Sequence, residues 1–205
     1  MSDDGRFPQL SQELIEFIQR QHLFFVSTAT AEGRINLSPK GMDSLRVLSP
    51  TEVLWVNGTG TGNETATHLQ THPRMTMMFC SFDKAPLILR LYGQARMYHC
   101  DAPEWPALLA HFEQGVAGAR QVFVLEIDLV QTSCGFGVPR MEFVKERGTL
   151  EKWANKKGEA VIREFWRNAN MVSLDGLPTG MERHLPPAGA ADDSAQAAPA
   201  SPCAS

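Results

Sequence analysis

The 205-residue sequence has no apolar run that approaches the length of a membrane-spanning helix. Its four cysteines, Cys80, Cys100, Cys134 and Cys203, show no Cys-x-x-Cys spacing. That argues against structural zinc and against a redox pair, and fits reduced thiols in a cytoplasmic protein. Cys203 stands third from the end, which does not fit a prenylation box. The formal charge of −4 lacks the basic excess that non-specific nucleic-acid binding needs. Residues Met1 to Arg6 lack the apolar core of a signal peptide. There is no Gly-x-x-x-x-Gly-Lys-Ser/Thr loop, and no Gly-x-Gly-x-x-Gly, because Asn63 stands where the third glycine belongs. His68 and His72 are four apart, but no His-Glu-x-x-His surrounds them and Pro73 ends their helix. They read as surface or cap histidines, and no metal site is expected.

What the sequence does have is one glycine-rich stretch, Asn57 to Leu69, behind the apolar run Val53-Leu54-Trp55-Val56. A strand, a glycine turn and a helix start leave backbone N–H groups without partners, and an anion satisfies such groups. Asn63 and Thr65 are good N-caps and can donate from their side chains. A ligand-free connection between strand and helix fits the same residues.

Leu10, Leu14, Ile15 and Ile18 recur at helical spacing behind Ser11, an expected N-cap. Strands are expected at Leu23 to Ala29, Ile35 to Ser38, Arg46 to Leu48, Glu52 to Val56, Met75 to Phe82, Leu87 to Tyr98 and Gln121 to Val130. Phe123, Leu125, Ile127 and Leu129 are expected to face inward. Pro103 to Phe112 reads as a helix, as do Leu150 to Lys157 and Glu159 to Asn168, split at Gly158. Six or seven hairpin-linked strands with few helices between them point to a mostly β antiparallel barrel with flanking helices. One domain is expected over 1–184. The Ala-, Pro- and Ser-rich residues 185–205 are expected to form a disordered tail.

The order of several segments resembles the pyridoxamine 5′-phosphate oxidase-like family of FMN-binding split β-barrels. They are Arg34 to Gly41, Leu54 to Asn57 with the glycine turn and Asn63-Glu64-Thr65, His72-Pro73-Arg74-Met75, Ile88 to Ala95, Gln131 to Pro139 and Ser173 to Pro178. The resemblance spans roughly Leu10 to Pro178. It implies FMN held by Arg34, Ser38, Lys40, Val56, Asn57, Gly62, Asn63, Glu64, Thr65 and Arg90. It also implies a homodimer with FMN at the subunit interface. The family's Ser-Arg-Lys phosphate loop is replaced here by Asn63-Glu64-Thr65, so two cations are lost and an acid is gained. Glu64 is then expected to face away from a phosphate and cap its helix.

Lys40 is the best catalytic candidate, as a cation near the flavin; the bland alternative is a solvated turn lysine. Arg90, between leucines, needs an anionic partner, either the phosphate or Glu126 or Asp128. Asn57 either bonds the flavin or closes a turn. Trp55, Phe24 and Phe25 read as core, and Cys134 as a small packing residue. The implied function is an FMN-dependent oxidoreductase acting on a small molecule or taking electrons from a donor, with deazaflavin as a possible replacement for FMN. The alternatives are a flavin- or haem-binding sensor or store without turnover, and an interaction protein that has lost the cofactor.

Overall fold

Two long strands form the spine of the fold in the computed structural model, which describes residues 4–112 and 116–185. They are β7 (Ile88–His99) and β8 (Ala119–Ser133), paired antiparallel along the whole of β7. The other strands are β1 (Arg6–Phe7), β2 (Phe24–Thr28), β3 (Asn36–Lys40), β4 (Leu45–Ser49), β5 (Glu52–Gly58) and β6 (Arg74–Cys80). Their order is β3-β2-β6-β7-β8-β5-β4, every pair antiparallel, with β1 added on β8. This is the split-barrel sheet expected, with one short strand, β1, more than the sequence suggested.

Alternation along β2, β6 and β7 puts Phe24, Val26, Met77, Phe79, Leu89 and Leu91 into the main core, where Trp55 stacks on Phe123 at 4.8 Å between ring centres. A second cluster, on the opposite face of β5 and β8, buries Leu54, Val56, Val122 and Val124. Helix α1 (Gln12–Gln19) buries Phe17 and Ile18 in the main core; Ser11 Oγ accepts from Leu14 N, as expected of an N-cap.

The expected inward position of Leu129 fails, and a β-bulge is the reason. Tyr92 pairs with Leu129 but Gly93 pairs with Ile127, so Asp128 is an extra residue in β8. Beyond it the inward residue is Val130, fully buried, while Leu129 is only half-buried. Gly93 is required by this approach: a Cβ there would lie 1.9 Å from Glu126 O.

Helix α2 (Glu64–Leu69) follows the glycine-rich loop, and α3 is limited to Trp105–Leu109. The expected start at Pro103 is wrong because Pro106 also fits the first turn, so the helix begins later. Helices α4 (Thr149–Lys157) and α5 (Glu159–Ala169) break at Gly158, φ +74°, as expected. They form a third small cluster through Ala154, Ile162 and Trp166. Cys134 is exposed and not a packing residue. The expected tail lies almost wholly outside the described residues. No helix of the described residues is long and apolar enough to cross a membrane.

Candidate functional site

Strand β3 carries its polar residues on the inner face and its apolar ones outside. Asn36, Ser38 and Lys40 line a cavity of about 390 Å³, while Ile35 and Leu37 are 74% and 64% exposed. Ile35 immediately precedes β3. Strand β5 supplies Val56 and Asn57, and the glycine-rich loop with the start of α2 supplies Gly62, Asn63, Glu64 and Thr65. Eight of the ten residues the sequence singled out therefore meet at one cavity.

Two do not. Arg34 donates from its backbone N–H and its guanidinium to Asp175, in the turn after α5. The Asp175 carboxyl is held below the usual range by the Arg34 backbone N–H and then by its guanidinium. Arg90 lies elsewhere on the sheet and donates to Ser133 Oγ at 3.1 Å; its partner is neither Glu126 nor Asp128. Glu64 corrects another expectation. Its Oε1 accepts from Leu174 N at 3.0 Å, so it fastens the C-terminal turn instead of capping its own helix.

Asn63 occupies the N-cap position of α2 without making a side-chain cap. It is 4% exposed, and neither its Oδ1 nor its Nδ2 has a partner. Thr65 Oγ1 accepts from Asn36 Nδ2, which ties α2 to β3. Asn57 donates to Gln121 Oε1 at 3.0 Å within the protein. His68 is not a surface residue: it is 2% exposed and its Nδ1 bonds Thr28 Oγ1 at 3.0 Å.

Lys40 Nζ sits 4.9 Å from the centre of the Trp55 ring. Burial, and then the charge of Arg120, lower its pKa to about 8. Arg120 is the residue the sequence reading missed. It lies in β8, lines the same cavity, is 2% exposed, and burial lowers its pKa to about 10. Its guanidinium donates to Gln121 Oε1, Gly60 O, Gly62 O and Asn170 Oδ1. Among the described residues neither Lys40 nor Arg120 makes an ion pair. Strand parity could not have found Arg120: Asn57 pairs with Gln121 but Gly58 with Ala119, so this arginine is itself the extra residue of a bulge in β8.

Away from this cavity, His99 and His184 stack at 3.7 Å between ring centres, and Asp101 holds His184 Nδ1 at 2.8 Å. His99 is 5% exposed, and both its ring nitrogens lack partners. No group of three or more metal-binding side chains is assembled among the described residues.

Comparison with known proteins matches this architecture. The pyridoxamine 5′-phosphate oxidase family model matches residues 10–134. The pyridoxamine 5′-phosphate oxidase family protein ustO of Aspergillus flavus is 39% identical over 191 residues, 84% of this chain and 76% of that protein. Among solved structures, the H111A form of HupZ from Group A Streptococcus gives a TM-score of 0.51 at 19% identity, over 60% of this chain and 98% of that one. HutZ, the heme storage protein of Vibrio cholerae, gives 0.46 at 19% identity, over 62% and 98%. By the extent of the family match and the identity to its Aspergillus relative, this chain belongs to the pyridoxamine 5′-phosphate oxidase family.

Proposed function

We propose that the chain is a flavoprotein that binds FMN in the β3–β5–α2 cavity and acts as an oxidoreductase of this family's type. The observation that carries the reading is the Asn63 side chain, buried with both polar atoms unpaired in a wall shared with Lys40 and Arg120. A buried amide left without partners costs about 1–3 kcal/mol. A phosphate accepting from Asn63 Nδ2, near two cations that have no carboxylate partner, removes the donor's share of that cost. Lys40, Asn63, Thr65 and Ser38 would hold the group, with Asn36 positioning Thr65. Bound flavin supplies the redox chemistry. The chain's own part is to bind, orient and exclude water, with Lys40 presenting positive charge where negative charge develops.

A homodimer belongs to the same reading. The outward apolar face at β3, on an open sheet edge beside the cavity, suits a second copy covering both. Light scattering would give twice the 22.7 kDa chain mass; a monomer would remove this part of the account.

To test the reading, purified protein is equilibrated with FMN, freed of excess, and its visible spectrum recorded before and after anaerobic NADPH. Retained flavin bands that bleach support an oxidoreductase. Retained bands that persist support flavin storage, and uptake of a deazaflavin alone would change the cofactor. A protein that takes up neither overturns the reading.

One observation favours a second reading, haem binding. His184 gives Nδ1 to Asp101 and leaves Nε2 without a partner among the described residues, the arrangement of a metal-ligating histidine backed by a carboxylate. A Soret band on adding haemin, lost in His184→Ala, would carry it.

A further inference from the structure

We propose that helix α5, through Asn170, is part of the phosphate-binding apparatus: Asn170 and Arg120 together fix the direction in which the glycine-rich loop presents its amides. This rests on the flavin reading above and extends it to residues outside the stretch that the family model matches, which ends at 134.

The contacts all act on one side of the loop. Asn170 Nδ2 donates to Gly60 O at 2.9 Å and to Thr61 O at 3.2 Å. Arg120 donates to Gly60 O and, at 2.9 Å, to Gly62 O. Asn170 Oδ1 in turn accepts from Arg120, so one amide side chain grips both the loop and the cation. Three consecutive carbonyls, of Gly60, Thr61 and Gly62, are thus drawn to the same side. In a trans peptide the N–H points opposite the preceding C=O. The amides of Thr61, Gly62 and Asn63 therefore turn away from Arg120, and none donates to another described residue. Successive amides aimed together make an anion-binding concavity.

Arg120 is engaged mainly in this grip. A guanidinium has five N–H donors, and four are used by Gln121, Gly60, Gly62 and Asn170. Its role is that of a positioning cation whose charge reaches the cavity while its donors hold the backbone.

The rest of the arm fixes Asn170. Trp166 Nε1 donates to Thr59 Oγ1 at 2.9 Å, Thr179 Oγ1 donates to Asn170 O, and Gln70 Nε2 donates to Pro178 O. Asn170 is fully buried. The geometry accounts for how a loop without the family's two cations keeps an anion site: the loop is held from behind by a buried arginine and by the amide of the residue that caps α5.

The test compares FMN and riboflavin, which differ by the phosphate, in the full-length protein and in Asn170→Ala. Fluorescence titration gives the ratio of the two dissociation constants. The wild type is expected to prefer FMN strongly. Asn170→Ala is expected to lower that preference about tenfold while riboflavin affinity stays within about twofold, a loss of phosphate recognition near 1.4 kcal/mol. A variant that weakens both ligands equally, or neither, overturns the proposal. Backbone order parameters for Thr61, Gly62 and Asn63 in ligand-free protein give a second readout. They are expected to fall in Asn170→Ala, and unchanged values also overturn the proposal. If the wild type binds neither flavin but its loop loosens in Asn170→Ala, the flavin reading fails and the latch stands.

Discussion

Lys40 Nζ stands 4.9 Å from the centre of the Trp55 ring, in a cavity wall that Arg120 also lines. The pKa of about 8 that burial and Arg120 impose places the loss of its charge in an accessible range. FMN affinity is predicted to fall as pH rises through about 8, by up to about tenfold per unit. Titration between pH 7 and 10 avoids the second ionisation of the phosphate, near pH 6. Lys40→Met is predicted to bind more weakly at pH 7 and to lose the slope; an unchanged slope would assign it to another group. The ligand-free protein is predicted to trend the other way. Native Lys40 releases its proton before the unfolded chain does, so stability rises between about pH 8 and the ordinary lysine range.

Asn63 separates binding from stability. Asn63→Leu removes two buried, unpaired polar atoms. The ligand-free variant is predicted to match or exceed the wild type, by about 1 kcal/mol in urea unfolding, while FMN affinity drops at least about tenfold. A destabilised Asn63→Leu that still binds FMN would mean the side chain serves the fold alone.

Gly93→Ala tests the bulge. A Cβ at 1.9 Å from a backbone oxygen cannot be relieved by a side-chain rotation. The variant is predicted to lose about 3 kcal/mol or fail to fold, read by thermal denaturation. Wild-type stability would contradict the described register of β7 and β8.

His99 gives a pH-dependent stability. Burial, and then the neighbouring His184 and Arg120 charges, lower its pKa to about 4, against an opposing pull from Asp101. Between about pH 4 and 6.5 the unfolded chain binds the proton and the native one does not, so stability is lost as pH falls through that window. His99→Phe is predicted to flatten the slope of the urea midpoint against pH there. Equal slopes in the two proteins would show that His99 is not the group responsible.

The strands were legible because period-two alternation survives in β2, β6, β7 and most of β8. Leu129 was misread because the bulge at Asp128 inverts the alternation, and one extra residue leaves no mark in composition. The cavity residues of β3, β5 and α2 were legible as a motif in order. Arg34 was misread because its partner, Asp175, is 141 residues away, and Glu64 because its partner is a backbone amide at Leu174. Arg120 carries no alternation signal, because a bulge at the start of β8 makes it the extra residue against Asn57 and Gly58. Asn170 was missed because its role depends on where α5 docks, which local pattern does not encode.

The most direct test is flavin content after FMN loading and gel filtration, in the wild type and in Thr65→Glu. Thr65 is 6% exposed in the cavity wall and bonds Asn36, so a glutamate there sets a carboxylate among the groups assigned to the phosphate. The account predicts about one FMN per chain in the wild type and none in a variant with unchanged oligomeric state. A folded Thr65→Glu that retains its full complement of FMN would contradict it.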